Sequence, residues 1–363
     1  MNTNSYFTIE VLVSGTVIIQ LVNGDGTEAT GTFYYWINSV PNAARDNYDG
    51  SIVPSSTAQY IRVNGSHPPV GTIIRLYRPE TTTCCFGDGG DNGSYIRIHG
   101  TAETKVSGNM ASLIGFSETI PAACFRYMFY SGSIVDASEL ELPWTTLSQW
   151  CFGRLFFNNT KLIEPPYLPA TTLADSCYRL MFRNCTALKK IAKMGCKNLA
   201  FASHYGMYQL CTALEKVTLP KFDTYANQAL GFMFNSCSSL KELTVECPET
   251  LDTQNMFYCL AGSCMNLERL TCLAKNSTAN CTGSWLGNDA SYAAEHATFI
   301  KHPDATFWTE GTSGIPSGWT VKNMNPQVQS LDFNDAIGVY VKGNQKIVKI
   351  YGQNNTVIWE ETS

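Results

Sequence analysis

The chain has 363 residues, of which 44% are apolar, enough for a sizeable interior and too many for one compact core. Charged residues make up only 15%, and 25 basic against 30 acidic side chains leave a net charge of −5. That balance offers no electrostatic footprint for nucleic acid or an anionic membrane, which removes a polyanion-binding role from the leading readings.

The first basic residue is Arg45, so the N-terminus has no charged region of the kind a secretory leader carries. Gly15 to Val22 is the most apolar early stretch and is far too short to span a bilayer. The expectation is that either a leader has been removed or the protein leaves its cell by another route, such as lysis, and no membrane insertion is expected.

Residues 1–106 alternate apolar and polar side chains in short runs, such as Phe7 to Val13, Thr16 to Val22, Thr32 to Trp36, Thr72 to Tyr77 and Ser94 to Ile98. Turn pairs punctuate them at Asn23-Gly24, Asn64-Gly65 and Asn92-Gly93. This predicts an all-β head, an immunoglobulin-like sandwich. The loop Gly87 to Gly93 presents oxygen atoms on a turn, as calcium requires. Its Asp88 and Asp91 stand three apart, off the alternating spacing of an EF-hand. An ordinary solvated turn is the preferred reading, and no cofactor is expected.

Residues 107–320 repeat. Leu162, Leu188, Leu214, Leu240 and Leu267 step by 26, 26, 26 and 27 residues, and six residues before the first four stand Phe156, Phe182, Tyr208 and Phe234. Cys185, Cys211, Cys237 and Cys264 keep the same beat. A fixed period of this length predicts a stack of units that each touch their neighbours. In Thr172 to Phe182, the apolar positions 173, 177, 180 and 181 share a helical face, and Asn184-Cys185-Thr186 ends it. Strands are predicted to follow at Leu188–Ile191, Leu214–Leu219, Leu240–Val245 and Leu267–Cys272, with Pro220 and Pro248 closing two of them. The expected fold is therefore an α/β leucine-rich repeat solenoid, with the β head before it and a small β module after it.

The wording of the units resembles the BspA-like leucine-rich repeat family of bacterial surface proteins and of phages. The residues that carry the resemblance are Leu168-Pro-Ala-Thr-Thr-Leu173-Ala, Cys177-Tyr-x-x-Met181-Phe-x-Asn-Cys-Thr-Ala-Leu188 and Gly314-Ile-Pro-Ser-Gly-Trp319. Tyr6-Phe-Thr-Ile-Glu10 and Gly108-Asn-Met-Ala-Ser-Leu-Ile114 resemble the β-rich head that precedes such repeats. The family implies adhesion and binding and has no catalytic residue to carry over.

Cysteine ladders at equivalent positions run side by side, so buried free thiols filling tight turns are preferred over disulfides. The five histidines, His67, His99, His204, His296 and His302, are scattered outside any nucleophile motif, and no enzyme is expected. The strand face supplies the candidate binding constellation. Strand alternation turns Lys190, Lys216, Glu242 and Arg269 outward in one row and Ala192, Thr218, Thr244 and Thr271 in the next. Such rows suit a glycan or a protein receptor, although a merely solvated face is the equal alternative.

The tail, residues 321–363, is expected to form a β-meander from Val339-Tyr-Val, Lys346 to Tyr351 and Thr356 to Trp359. It is too small for its own core and should dock on the solenoid, a partner or copies of itself. Together these features predict a non-enzymatic structural or adhesion protein on a phage virion, among other virion proteins. The alternatives are a secreted or cell-surface bacterial adhesin and, more remotely, a polysaccharide hydrolase.

Overall fold

The computed structural model describes residues 5–22, 32–41, 45, 47–79, 95–278, 280–287, 297–324, 338–341, 348–351 and 357–360. In the head, period-two alternation produces β1 (Phe7–Val13), β2 (Val17–Val22), β3 (Phe33–Ile37), β4 (Gly50–Ile52), β5 (Gln59–Ile61), β6 (Ile73–Tyr77), β7 (Tyr95–His99) and β8 (Glu103–Asn109). One sheet runs β4-β3-β6-β1-β8 and continues into β9 (Ile134–Glu141); the other is β5-β2-β7. Phe7, Ile9, Ile74, Leu76 and Val106 of the first sheet join Val17, Ile19, Ile96 and Ile98 of the second in a common core.

This is not the immunoglobulin arrangement. There the first strand lies at a sheet edge, whereas β1 is interior, paired antiparallel to both β6 and β8, and β8 pairs in parallel with β9.

The repeats stack as coils. On one side β10 (Lys216–Leu219), β11 (Glu242–Val245), β13 (Arg269–Cys272), β15 (Thr298–Lys301) and β16 (Thr320–Asn323) form a wholly parallel sheet. A second parallel pair joins β12 (Thr250–Leu251) to β14 (Asn276–Ser277). Earlier coils meet through isolated parallel bridges, Thr146 to Thr172, Leu168 to Met194 and Asn198 to Thr224. Leu188–Ile191, expected as a strand, forms none. The tail sheet, β17 (Gly338–Val341), β18 (Val348–Tyr351) and β19 (Val357–Glu360), is antiparallel.

The expected helices are absent, which overturns the α/β leucine-rich repeat solenoid. No α-helix occurs among the described residues; a short 3-10 segment, Met110–Ile114, is the helical element they contain. An α-helix sends each N–H to the carbonyl four residues back. Here alternate N–H groups do two different things. Cys177, Arg179, Met181 and Arg183 donate three residues back within their own coil. Ser176, Tyr178, Leu180, Phe182 and Asn184 donate to Phe201, Ser203, Tyr205, Met207 and Gln209 of the next coil.

Every fourth residue is left-handed, as at Ser176 (φ 57), Leu180 (φ 57) and Asn184 (φ 60), then Ala202 (φ 49), Gly206 (φ 61) and Leu210 (φ 64). The segment is thus a ladder of consecutive turns. Helices need about 8–10 Å between axes and strands only about 4.8 Å. Replacing the helix by turns lets both walls of the stack repeat at the strand spacing.

Two columns of rings fill the interior. Phe125, Phe152, Tyr178 and His204 follow one another at 5.9, 6.0 and 5.4 Å between centroids. The second column runs Phe7, Phe129, Phe156, Phe182, Tyr208 and Phe234 at 5.6, 5.3, 5.5, 5.4 and 5.8 Å. Because it begins on β1, head and coils share one core. The Ile98 amide of β7 also donates to the Met128 carbonyl of the turn ladder at 2.7 Å. The head therefore covers the first coil, satisfying the end that a stack of identical units would leave open.

Candidate functional site

The strand wall places the outward side chains in rows because parallel strands pair without stagger. Lys216 stands beside Glu242, Glu242 beside Arg269, Arg269 beside Thr298 and Thr298 beside Thr320. Burial alternates as strand geometry requires: Val217 and Leu219 are buried while Lys216 and Thr218 are exposed. Glu242 Oε2 bridges both cations, at 2.9 Å from Lys216 Nζ and 3.5 Å from Arg269 Nη1.

Lys190 lies outside the named strands and pairs instead with Glu164 of the preceding coil, at 2.5 Å. In the neighbouring row Thr218, Thr244 and Thr271 are in register. Thr271 is 6% exposed and so is not offered to solvent. Ala192 is buried as well, its N–H donating to Tyr208 Oη at 2.8 Å. Asp88 and Asp91 lie outside the described residues.

The charged row extends further than the repeat pattern indicates. Glu164 bridges to Asp136 of β9, Asp136 pairs with Lys105 of β8, and Lys105 pairs with Glu10 of β1. A line of Glu10, Lys105, Asp136, Glu164, Lys190, Lys216, Glu242 and Arg269 thus crosses from head to coils, with four carboxylates and four cations. At about 4.8 Å per strand it spans some 30–35 Å. Glu164 had a legible signal, standing 26 residues before Lys190. Asp136, Lys105 and Glu10 had none, because only the β8–β9 and β1–β8 pairings bring them into line.

Lys105 is the most enclosed by charge. Its Nζ lies 2.6 Å from Glu139 Oε1 and 3.9 Å from Asp136 Oδ2. The hydrogen bond to Glu139 raises its pKa, with the carboxylates of Glu139, Asp136 and Glu10 adding to the rise against a burial term of opposite sign. An open groove of about 650 Å³ borders this end, with Tyr6, Glu10, Arg75, Lys105, Glu139 and Glu141 among its walls. A second groove shares Glu139 and Glu141 and reaches the exposed ring of Tyr167. The first groove has a mixed polar and apolar lining, whereas Leu140, Leu142, Pro143 and Pro169 make the second mainly apolar.

A nucleophile–base contact does occur, between Ser203 Oγ and His204 Nδ1 at 3.0 Å. Both side chains are fully buried, and burial pushes the His204 pKa down to about 3. No substrate reaches that pair without opening the core. Among the described residues no group of three or more His, Cys, Asp or Glu side chains is placed to hold a metal ion, and no helix is long and apolar enough to cross a membrane. Comparison with protein-family models, with curated proteins and with solved structures finds no match to this chain.

Proposed function

We propose that this chain is a non-enzymatic recognition protein whose strand side grips a glycan or protein surface across several coils at once. The observation that carries the reading is the line of charged side chains from Glu10 to Arg269, in strand or bridge register from Glu10 to Glu164 and from Lys216 to Arg269, with Lys190 ion-paired to Glu164 between them. Exposed ion pairs of this kind contribute about 0–1 kcal/mol each to folding, so stability does not account for so long a row. Its signs cancel, which favours a neutral, hydroxyl-rich or mixed-charge partner over a polyanion. Each coil adds two or three polar groups, too few to hold a ligand alone, and the two grooves beside Lys105 and Tyr167 offer concave contact at one end. The setting we propose is the surface of a phage particle, supported by the low-charge composition and by the likeness of the repeat wording to BspA-like units.

Replacing Lys190, Lys216 and Arg269 together by Ala tests the reading. All three are exposed, so the variant should stay folded, with losses under about 0.5 kcal/mol per site. Attachment to host cells should fall to background. Full attachment by the folded variant would place recognition elsewhere, and detection of the chain in cell envelopes instead of purified particles would move its setting to the bacterial surface.

A further inference from the structure

Six of the twelve described cysteines show two contrasting kinds of contact. Cys185, Cys211, Cys237 and Cys264 each donate to a carbonyl of the preceding coil, that of Phe156, Phe182, Tyr208 and Phe234, at 3.2, 3.1, 3.2 and 3.0 Å. Those thiols are committed to the backbone. Cys247 and Cys272 differ. They belong to adjacent coils, one just after β11 and the other ending β13, and their sulfurs lie 3.5 Å apart. Cys272 is fully buried, while Cys247 is partly exposed at the surface.

We propose that Cys247 and Cys272 form a redox pair that closes to a disulfide between coils by exchange with a low-molecular-weight disulfide such as oxidised glutathione. The Cys247 thiolate attacks one sulfur of that reagent, forming a mixed disulfide and releasing the first thiolate, which takes up a proton. Cys272 then loses its proton to water, and its sulfur attacks Cys247 Sγ. The bond to the second half of the reagent breaks and that half leaves as a thiol. Two protein thiols are oxidised and one disulfide is reduced to two thiols.

The asymmetry assigns the roles. Cys247 is the thiol a reagent can reach, and Cys272 is held behind it to resolve the intermediate. Their hydrogen bond lowers the Cys247 pKa against the opposing effect of burial, with the backbone at Leu273 and Ala274 and the charge of Lys221 adding smaller effects, which favours Cys247 as the attacking thiolate. Closure needs the sulfurs to approach by about 1.5 Å, to the usual bond length near 2.05 Å. The product would staple two coils whose strands are already paired, Val245 lying beside Cys272.

The test uses the folded, fully reduced chain treated with oxidised glutathione, then denatured, alkylated and mapped by peptide mass. Wild type should lose two alkylatable thiols and yield one bridged peptide pair containing Cys247 and Cys272, with Cys185, Cys211, Cys237 and Cys264 still alkylated. Cys272→Ser should stop at a glutathionylated Cys247, and Cys247→Ser should leave Cys272 unmodified. Wild type that stays fully reduced, or that keeps glutathione on Cys247 without bridging, overturns the proposal. Should Cys272→Ser fail to fold, the wild-type map and Cys247→Ser decide the matter.

Discussion

A substitution series at Ser263 separates the turn ladder from a helix by the order of stabilities. Ser263 sits at φ 59, in the same row as Asn184 (φ 60), Leu210 (φ 64) and Ser236 (φ 60), and its side chain is partly exposed. A Cβ in this left-handed region costs about 1–2 kcal/mol. Gly removes that cost, and the extra freedom of its unfolded chain returns about 0.5–1 kcal/mol. Val adds a branched side chain and is the worst of the three. The expected order is Gly at or above Ser, with Val lowest, and about 1–2 kcal/mol separates the ends. In a helix interior Ser and Val are nearly equal and Gly is lowest by a few tenths of a kcal/mol. Urea midpoints followed by far-UV circular dichroism, at unchanged slope, read the order directly. A Gly variant less stable than the Val variant would refute the ladder.

Phe182 lies fully buried between Phe156 and Tyr208, so Phe182→Ala should cost about 3–5 kcal/mol in urea unfolding; a loss under about 1 kcal/mol would take the ring out of the core. His204 is fully buried with its pKa pushed down to about 3 from an ordinary 6.5. The unfolded chain therefore binds the proton first as pH falls, and each pH unit between about 6.5 and 3 should remove about 1.4 kcal/mol of stability. His204→Phe should abolish that part of the acid slope, and an unchanged slope would show that His204 does not cause it. Cysteines that are free thiols in the fold should titrate as such after unfolding under anaerobic, reducing-agent-free conditions. Persistent bridges among Cys185, Cys211, Cys237 and Cys264 would contradict their hydrogen bonds to carbonyls. Lys216→Ala alone should change stability by less than about 0.5 kcal/mol in the same urea assay, because its pair with Glu242 is exposed to solvent; a loss above about 1 kcal/mol would show that the row is structural.

The 26-residue beat, the ring column from Phe156 to Phe234 and the in–out alternation of Lys216 to Leu219 were legible in the chain, because lateral stacking obliges every coil to put the same kind of side chain in the same place. The conformation of the segment between strands was not. Cys177, Met181 and Cys185 are spaced by four, and on a helix they fall within about 80° of one another, inside an apolar stripe about 100° wide. A turn ladder of period four buries the same positions, so the pattern of buried residues cannot separate the two. The difference lies in where alternate N–H groups go, and that depends on a neighbouring coil lying about 4.8 Å away with carbonyls ready to accept. Tertiary pairing also decided the two features with functional weight. Sheet register carried the charged line past the repeats to Lys105 and Glu10, and stacking of adjacent coils brought Cys247 to Cys272, residues 25 positions apart. Neither is local, because each contact exists only once separate stretches of chain have been aligned by their backbones.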